Sequence, residues 1–282
     1  MYHVARILAV ARRMQLAGLA CLAASILVAA CSTATAPASA AHALADQLAT
    51  PRSAFSFDHR SRGTAVLDCV LANRSFSADV YADGSYRLRL DRGDIHLDAT
   101  TAYLAGSLLR RIDDSARWLA VERAALPPIA DELQRLFGVP VAQHLVTPGT
   151  PPAGEQVVQA ALEHAEDVSA VEPLRTSAGE PLAGYRITVA GPDPVPVIDT
   201  WLDANGQVIR VQVQDSLGGE PGTPNPDTGW IIDYGAEPTG EPAAPPAPAT
   251  ITADELATAT APVNVGCDLP VADEPTGEPV PP

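Results

Sequence analysis

Thr200–Gln214, TWLDANGQVIRVQVQ, reads as two strands joined by a tight turn. Asp203, Asn205 and Gly206 are residue types that accept the left-handed backbone a short reversal needs. After the turn, Ile209, Val211 and Val213 alternate with Arg210, Gln212 and Gln214. A period of two puts the apolar side chains on one face and the polar ones on the other, so the hairpin belongs to an antiparallel sheet buried on one side.

The same pattern extends outward from this hairpin. Strands are expected at Ala170–Leu174, Gly184–Ala190 and Val195–Leu202, with Trp230–Tyr234 following a Gly- and Pro-rich loop at Leu217–Gly229. In the N-terminal half Phe55 and Phe57 share a face, and Thr64–Ala72 aligns Ala65, Leu67, Cys69 and Leu71. Ser75–Tyr81 aligns Phe76, Ala78 and Val80, and Tyr86, Leu88 and Leu90 follow an Asp83-Gly84 turn. Asp91–Asp94 is a second turn before Ile95 and Leu97, and Trp118–Glu122 is a further strand. Between the two runs of strands, Ile129, Leu133, Leu136 and Phe137 recur at helical spacing behind Pro127-Pro128, with Gly138 as the stop. Val157, Val158, Ala161, Leu162 and Ala165 form a second amphipathic stretch beyond the turn-rich Thr147–Gly154. The fold class is α+β: a one-sided antiparallel sheet with a small helical insert.

The ends of the chain are different in kind. Arg6, Arg12 and Arg13 precede an apolar run, Leu16–Ala30, whose 15 residues fall short of the roughly 20 that a membrane-spanning helix needs. This is an export signal, residues 1–30, and Val28-Ala29-Ala30-Cys31 at its end resembles a bacterial lipobox, with Cys31 as the lipid-attachment residue. Two or three acyl chains on Cys31 would hold the chain to the outer face of the cytoplasmic membrane, each buried CH₂ contributing about 0.8 kcal/mol. Residues 31–52 are small, polar and aperiodic, a tether whose 20 residues before Arg52 would reach about 25 Å as flexible coil. Residues 53–235 are the folded domain. The tail, 236–282, has eight acidic residues and no basic one, is crowded with proline and repeats EPTGEP at Glu237–Pro242 and Glu274–Pro279. That composition favours disorder, with a protein partner as the use for its charge.

Charge and cysteine usage narrow the function. The chain of 282 residues has a net charge of −16 and 18 basic residues, all of them arginine. So acidic a chain does not suit nucleic acid, and the absence of lysine excludes a P-loop, a Schiff base and a Ser-x-x-Lys nucleophile. Once the signal and Cys31 are set aside, Cys69 and Cys267 remain for one disulfide or as two free thiols.

The sequence has no Gly-x-Ser-x-Gly, His-Glu-x-x-His or Cys-x-x-Cys, so it offers no enzyme signature and no cofactor motif. Asp94-Ile95-His96-Leu97-Asp98 places three polar residues on one strand face, which could hold a metal but reads better as a solvated face. Asp83 and Asp203 serve the backbone of their turns. Trp118, Trp201 and Trp230 suit either a ligand cavity or ordinary core packing.

The order of these pieces carries a resemblance. Lipobox, tether, antiparallel strands, helical insert, then GYRITV, TWLDANGQVIRVQVQ and WIIDYG together resemble the LppX/LprAFG-type bacterial lipoproteins of LolA-like fold, over about Ser53 to Gly235. The resemblance implies a curved antiparallel half-barrel packed over helices, with an apolar cavity that binds or carries the acyl chains of lipid or lipoglycan. Phe76, Val80, Leu88, Leu90, Leu133, Phe137, Val189, Trp201 and Val211 are the candidate cavity wall, since each lies on the apolar side of its segment. The alternative function is an anchored extracytoplasmic sensor or assembly factor that acts through protein partners.

Overall fold

The computed structural model describes residues 35–62, 75–90, 93–106, 118–190, 197–215, 225–240, 245 and 248–260. The signal, Cys31, Cys69, Cys267 and the strand expected at Thr64–Ala72 lie outside these residues. Among them, twelve strands form one unclosed sheet, antiparallel but for its last pair. In chain order they are β1 (Phe55–Arg62), β2 (Ser75–Val80), β3 (Tyr86–Leu90), β4 (Gly93–Leu97), β5 (Thr101–Gly106) and β6 (Leu119–Glu122). The second run is β7 (Ala165–Arg175), β8 (Pro181–Val189), β9 (Val197–Leu202), β10 (Val208–Asp215) and β11 (Asn225–Tyr234), and β12 (Ala249–Thr250) comes from the tail. Each run is a simple meander in which successive strands pair with one another. The two join where β1 pairs with β11, Phe57 opposite Tyr234 and His59 opposite Ile232, which gives the order β12-β6-β5-β4-β3-β2-β1-β11-β10-β9-β8-β7.

The helices are α1 (Thr35–Ala45), α2 (Ala130–Phe137), α3 (Val139–Val146), α4 (Gly154–Leu162) and α5 (Ala253–Thr260). The insert expected as two helices contains three. Gly138, at φ 86°, ends α2 and at once begins α3, whose Pro140 sits in the first turn where its missing N–H costs nothing. Val141 and Leu145 of α3 are fully buried against the sheet. Ala165, expected in a helix, instead opens β7, and β11 begins at Asn225, within the stretch expected to be loop.

Two segments expected to be loose are docked. Residues 35–52 are not a free tether. Leu44 of α1 is 1% exposed in the main core, the Ala49 N–H donates to the Gly206 carbonyl at 2.9 Å, and the Tyr185 hydroxyl donates to Gln47 Oε1 at 2.7 Å. Gly206 has φ +79°, and a Cβ there would lie 1.9 Å from the Gln47 carbonyl oxygen, so the hairpin turn needs glycine both for its backbone and for this close approach. Arg52 completes the attachment: it donates to the carbonyls of Val208 (2.8 Å) and Gly235 (3.0 Å) and pairs with the buried Glu155 of α4 at 3.1 Å. The weak amphipathicity of residues 35–48 hid this, because the one leucine of α1, Leu44, docks a helix built mostly of alanine.

The tail also returns to the domain. β12 pairs in parallel with β6, Ala249 opposite Leu119, and α5 packs on α2 with Leu256 fully buried. Thr252 and Glu255 cap α5 reciprocally, the Thr252 N–H donating to Glu255 Oε2 at 2.7 Å and the Glu255 N–H to Thr252 Oγ1 at 3.2 Å. Burial of Ile251 and Leu256 holds this part of the tail. Leu256→Asp is expected to release α5, so that a Glu-specific protease cuts after Glu255 several times faster while residues 53–235 stay intact; limited proteolysis followed by mass spectrometry checks this.

The polar face of the sheet carries cross-strand ion pairs, as the Arg alternation on β3 and β10 requires. Arg89 pairs with Asp79, Arg87 with Asp94, Arg186 with Asp199, and both Arg60 and Arg210 with Asp233. The Arg89 guanidinium holds the Asp79 carboxyl below the usual carboxylate range. His96 departs from the solvated face expected of it: it is buried against the edge of Tyr103 with centroids 5.7 Å apart, and burial lowers its pKa.

Candidate functional site

The inner face of the sheet is one apolar surface with two unlike rims. At one rim the strands are joined by turns that aspartates close. Asp83 accepts from the Ser85 N–H (2.9 Å), Asp98 from the N–H groups of Thr100 and Thr101 (2.8 and 2.6 Å), and Asp203 from those of Asn205 and Gln207 (both 2.9 Å). Asp83 and Asp203 therefore do the backbone work their sequence context implied. Next to these turns the inward side chains Phe55, Val80, Tyr86, Leu97, Leu202 and Val208 are all buried.

The opposite rim is where β1, β3, β8 and β10 end and where β2, β9 and β11 begin. Here the inward apolar side chains are only half-buried: Leu90, Val189, Ile198, Val213, Trp230 and Ile232 all pack against the core yet reach solvent. The helical insert covers the face unequally. α3 lies over β1–β3, where His144 meets the rings of Phe57, Phe76 and Tyr86. At the N-terminus of α4, Gly154 approaches Val208 and Tyr234, and Val158 is fully buried. The arrangement is a packed floor that opens at one end into a half-exposed apolar mouth.

The candidate wall residues divide across this geometry. Phe76, Val80, Leu88, Leu133, Phe137 and Val211 belong to the buried core, and Leu90 and Val189 pack beside it at the mouth. Trp201 is not brought to the wall. It stands opposite Arg210 while Val211 stands opposite Thr200, so it projects from the other face of the sheet, where its Nε1 donates to the Glu172 carbonyl at 3.0 Å. β9 alternates without a break, Ile198, Thr200 and Leu202 inward and Val197, Asp199 and Trp201 outward, so the apolar pair Val197 and Trp201 pointed to the wrong face. Trp230 does face inward, stacked beside His59 with centroids 6.1 Å apart. Ile198, Val213 and Ile232 share the mouth without having been candidates. Alternation with Val211 could have found Val213 and Ile232.

Polar groups also sit within this apolar interior. His144 is half-buried with its ring among Phe57, Phe76 and Tyr86, and desolvation, helped by His59 and Arg123, lowers its pKa to about 4. Tyr86 is pushed up to about 12 by burial, its hydroxyl donating to the His144 carbonyl at 2.9 Å. Arg123, 3% exposed, donates to the carbonyls of Asp98 (2.7 Å), His144 (2.8 Å) and Thr147 (2.8 Å), so it caps the C-terminus of α3 from the sheet side. Near the other end of the face, burial also raises the pKa of Tyr234. None of these groups forms a nucleophile–base pair, and among the described residues no cluster of three His, Cys, Asp or Glu could hold a metal. The chemistry on offer is apolar contact.

No known family matches the sequence, and no curated protein does. Solved structures resemble the fold, two of them as follows. One is an outer membrane lipoprotein-sorting protein domain from Vibrio parahaemolyticus, 12% identical, with TM-score 0.27 over 74% of this chain and 95% of that one. The other is a LolA superfamily protein from Nitrosomonas europaea, 9% identical, with TM-score 0.26 over 74% of this chain and 96% of that one. The fold itself rests on the strand order and register above: an unclosed, mostly antiparallel sheet over a helical insert, the α+β half-barrel expected from the sequence.

Proposed function

We propose that this chain is a cell-envelope lipoprotein, anchored through Cys31 at the outer face of the cytoplasmic membrane, that binds or carries the acyl chains of lipid or lipoglycan. In this reading it acts as the LppX/LprAFG-type lipoproteins do, the family its motifs resemble, and a Cys69–Cys267 disulfide belongs to the same picture. The observation that supports it is the contrast between the rims: at the mouth six inward apolar residues remain half-exposed, while their counterparts at the aspartate-closed rim are buried. Sites for apolar ligands are concave, are lined by such residues and carry few polar groups. Acyl chains need no directional recognition. They gain about 25 cal/mol for each Å² of apolar surface removed from water, so half-buried apolar side chains of this kind suffice.

The test is mass spectrometry of lipid that co-purifies with the full-length protein extracted from native membranes, compared with Val213→Arg. Val213 is half-buried at the mouth, so an arginine there can keep its charge in water while obstructing the entrance. The expected result is bound lipid in the wild type and its loss in the variant, with the thermal midpoint little changed. If neither protein carries lipid, the alternative replaces this reading: an anchored sensor or assembly factor whose acidic tail meets protein partners.

A further inference from the structure

We propose that the domain rides directly on an anionic lipid surface, with the start of α1 facing the bilayer, on a leash of three residues. This rests on the reading of Cys31 as the acylated residue. A long tether would let the domain tumble about 25 Å from the membrane, but residues 44–52 are fastened to three separate elements. Leu44 is buried in the core, Ala49 is bonded to the β9–β10 turn, and Arg52 to β10 and to Glu155 of α4. From that fastening α1 runs back without a break to Thr35. Only residues 32–34 then separate the lipid-bearing cysteine from the folded domain, and four Cα steps span at most about 14 Å.

Charge supports the same orientation. Residues 32–45, STATAPASAAHALA, contain no carboxylate, and the first one after Cys31 is Asp46. In a chain with 34 acidic residues, the stretch next to the anchor thus adds no repulsion from an anionic bilayer. Repulsion acts over a Debye length of about 8 Å at physiological salt, comparable to the stand-off that the leash permits. The segment closest to the anchor is therefore also the one suited to lie against headgroups. The lipid that the domain meets first is that of its own membrane.

Neutron reflectometry of the lipidated full-length protein in a supported bilayer of phosphatidylcholine and phosphatidylglycerol tests this. The comparison is a variant with a ten-residue Gly-Ser insert after Ala34, which leaves every described contact of α1 in place. The wild-type protein layer is expected to begin within about 14 Å of the headgroups. In the insert variant it should lie farther out and be broader, the insert adding an r.m.s. reach of about 17 Å. Coincident profiles, or a wild-type layer as diffuse as that of the insert variant, would overturn the inference. The mass of the N-terminal peptide is read separately. An unacylated Cys31 removes the anchoring reading together with this one, whereas an acylated chain with a loose layer removes this one alone.

Discussion

Arg123→Met is expected to destabilise the domain by about 3–5 kcal/mol, in the range found when one partner of a buried charged contact is removed. Arg123 closes the sequence-distant gap between the β4–β5 turn and the end of α3, accepted by the carbonyls of Asp98, His144 and Thr147 at 2.7–2.8 Å and, at 3.4 Å, by that of Leu145 and by the Tyr86 hydroxyl. The last carbonyls of a helix have no partner within the helix, and Arg123, itself buried, supplies one for these. Methionine fills much of the same space but donates nothing, so the loss isolates the hydrogen bonds rather than a cavity. Urea unfolding at neutral pH measures it, with an unchanged denaturant slope as the sign that two-state behaviour is intact. Arg123→Lys should recover only part of the loss, because one ammonium cannot reach carbonyls on both the turn and the helix. A cost below about 1 kcal/mol for methionine would mean that α3 is held by apolar packing alone.

The second large effect is acid lability above the range in which carboxylates titrate. His144 has its pKa lowered from 6.5 to about 4 in the folded chain, so the unfolded chain binds the proton more readily. Stability from this group is fully present above about pH 6.5, declines as pH falls from there, and is gone below about 4. The depression corresponds to about 3 kcal/mol over that window. His96, also lowered by burial, acts in the same direction. Asp79, Asp83 and Asp98, all with depressed pKa values, withdraw their contributions only at lower pH. His144→Phe keeps the ring contacts to Phe57, Phe76 and Tyr86 and the backbone carbonyl that Arg123 uses, and it should flatten most of the decline between pH 6.5 and 4.5 in urea titrations. His42→Gln is the control, since His42 lies exposed on α1. An unchanged slope in His144→Phe would show that His144 titrates in the folded chain without cost.

What could be read without the structure follows from periodicity and turn chemistry, which are local. Ile209, Val211 and Val213 against Arg210 and Gln212 announce a one-sided strand, Asp203 to Gly206 announces its turn, and each of these is set by backbone sterics within a few residues. Repetition of the pattern on both sides of a helical stretch already implied an α+β fold with one antiparallel sheet, and the resemblance implied its half-barrel curvature. Tertiary structure decided what depends on partners far away in the chain. α1 and α5 are poor helices in isolation and form because Leu44 and Leu256 find room in the core, a gain that neither segment's composition announces. Which side of β9 met the core was likewise decided by the sheet, which turned Ile198, Thr200 and Leu202 inward and left Trp201 on the outer face. The mouth, too, is a property of the assembled sheet. Val211 and Val213 are the same residue type two positions apart on one face, and only the ends of the neighbouring strands and the reach of α3 and α4 bury the first fully and leave the second half in water.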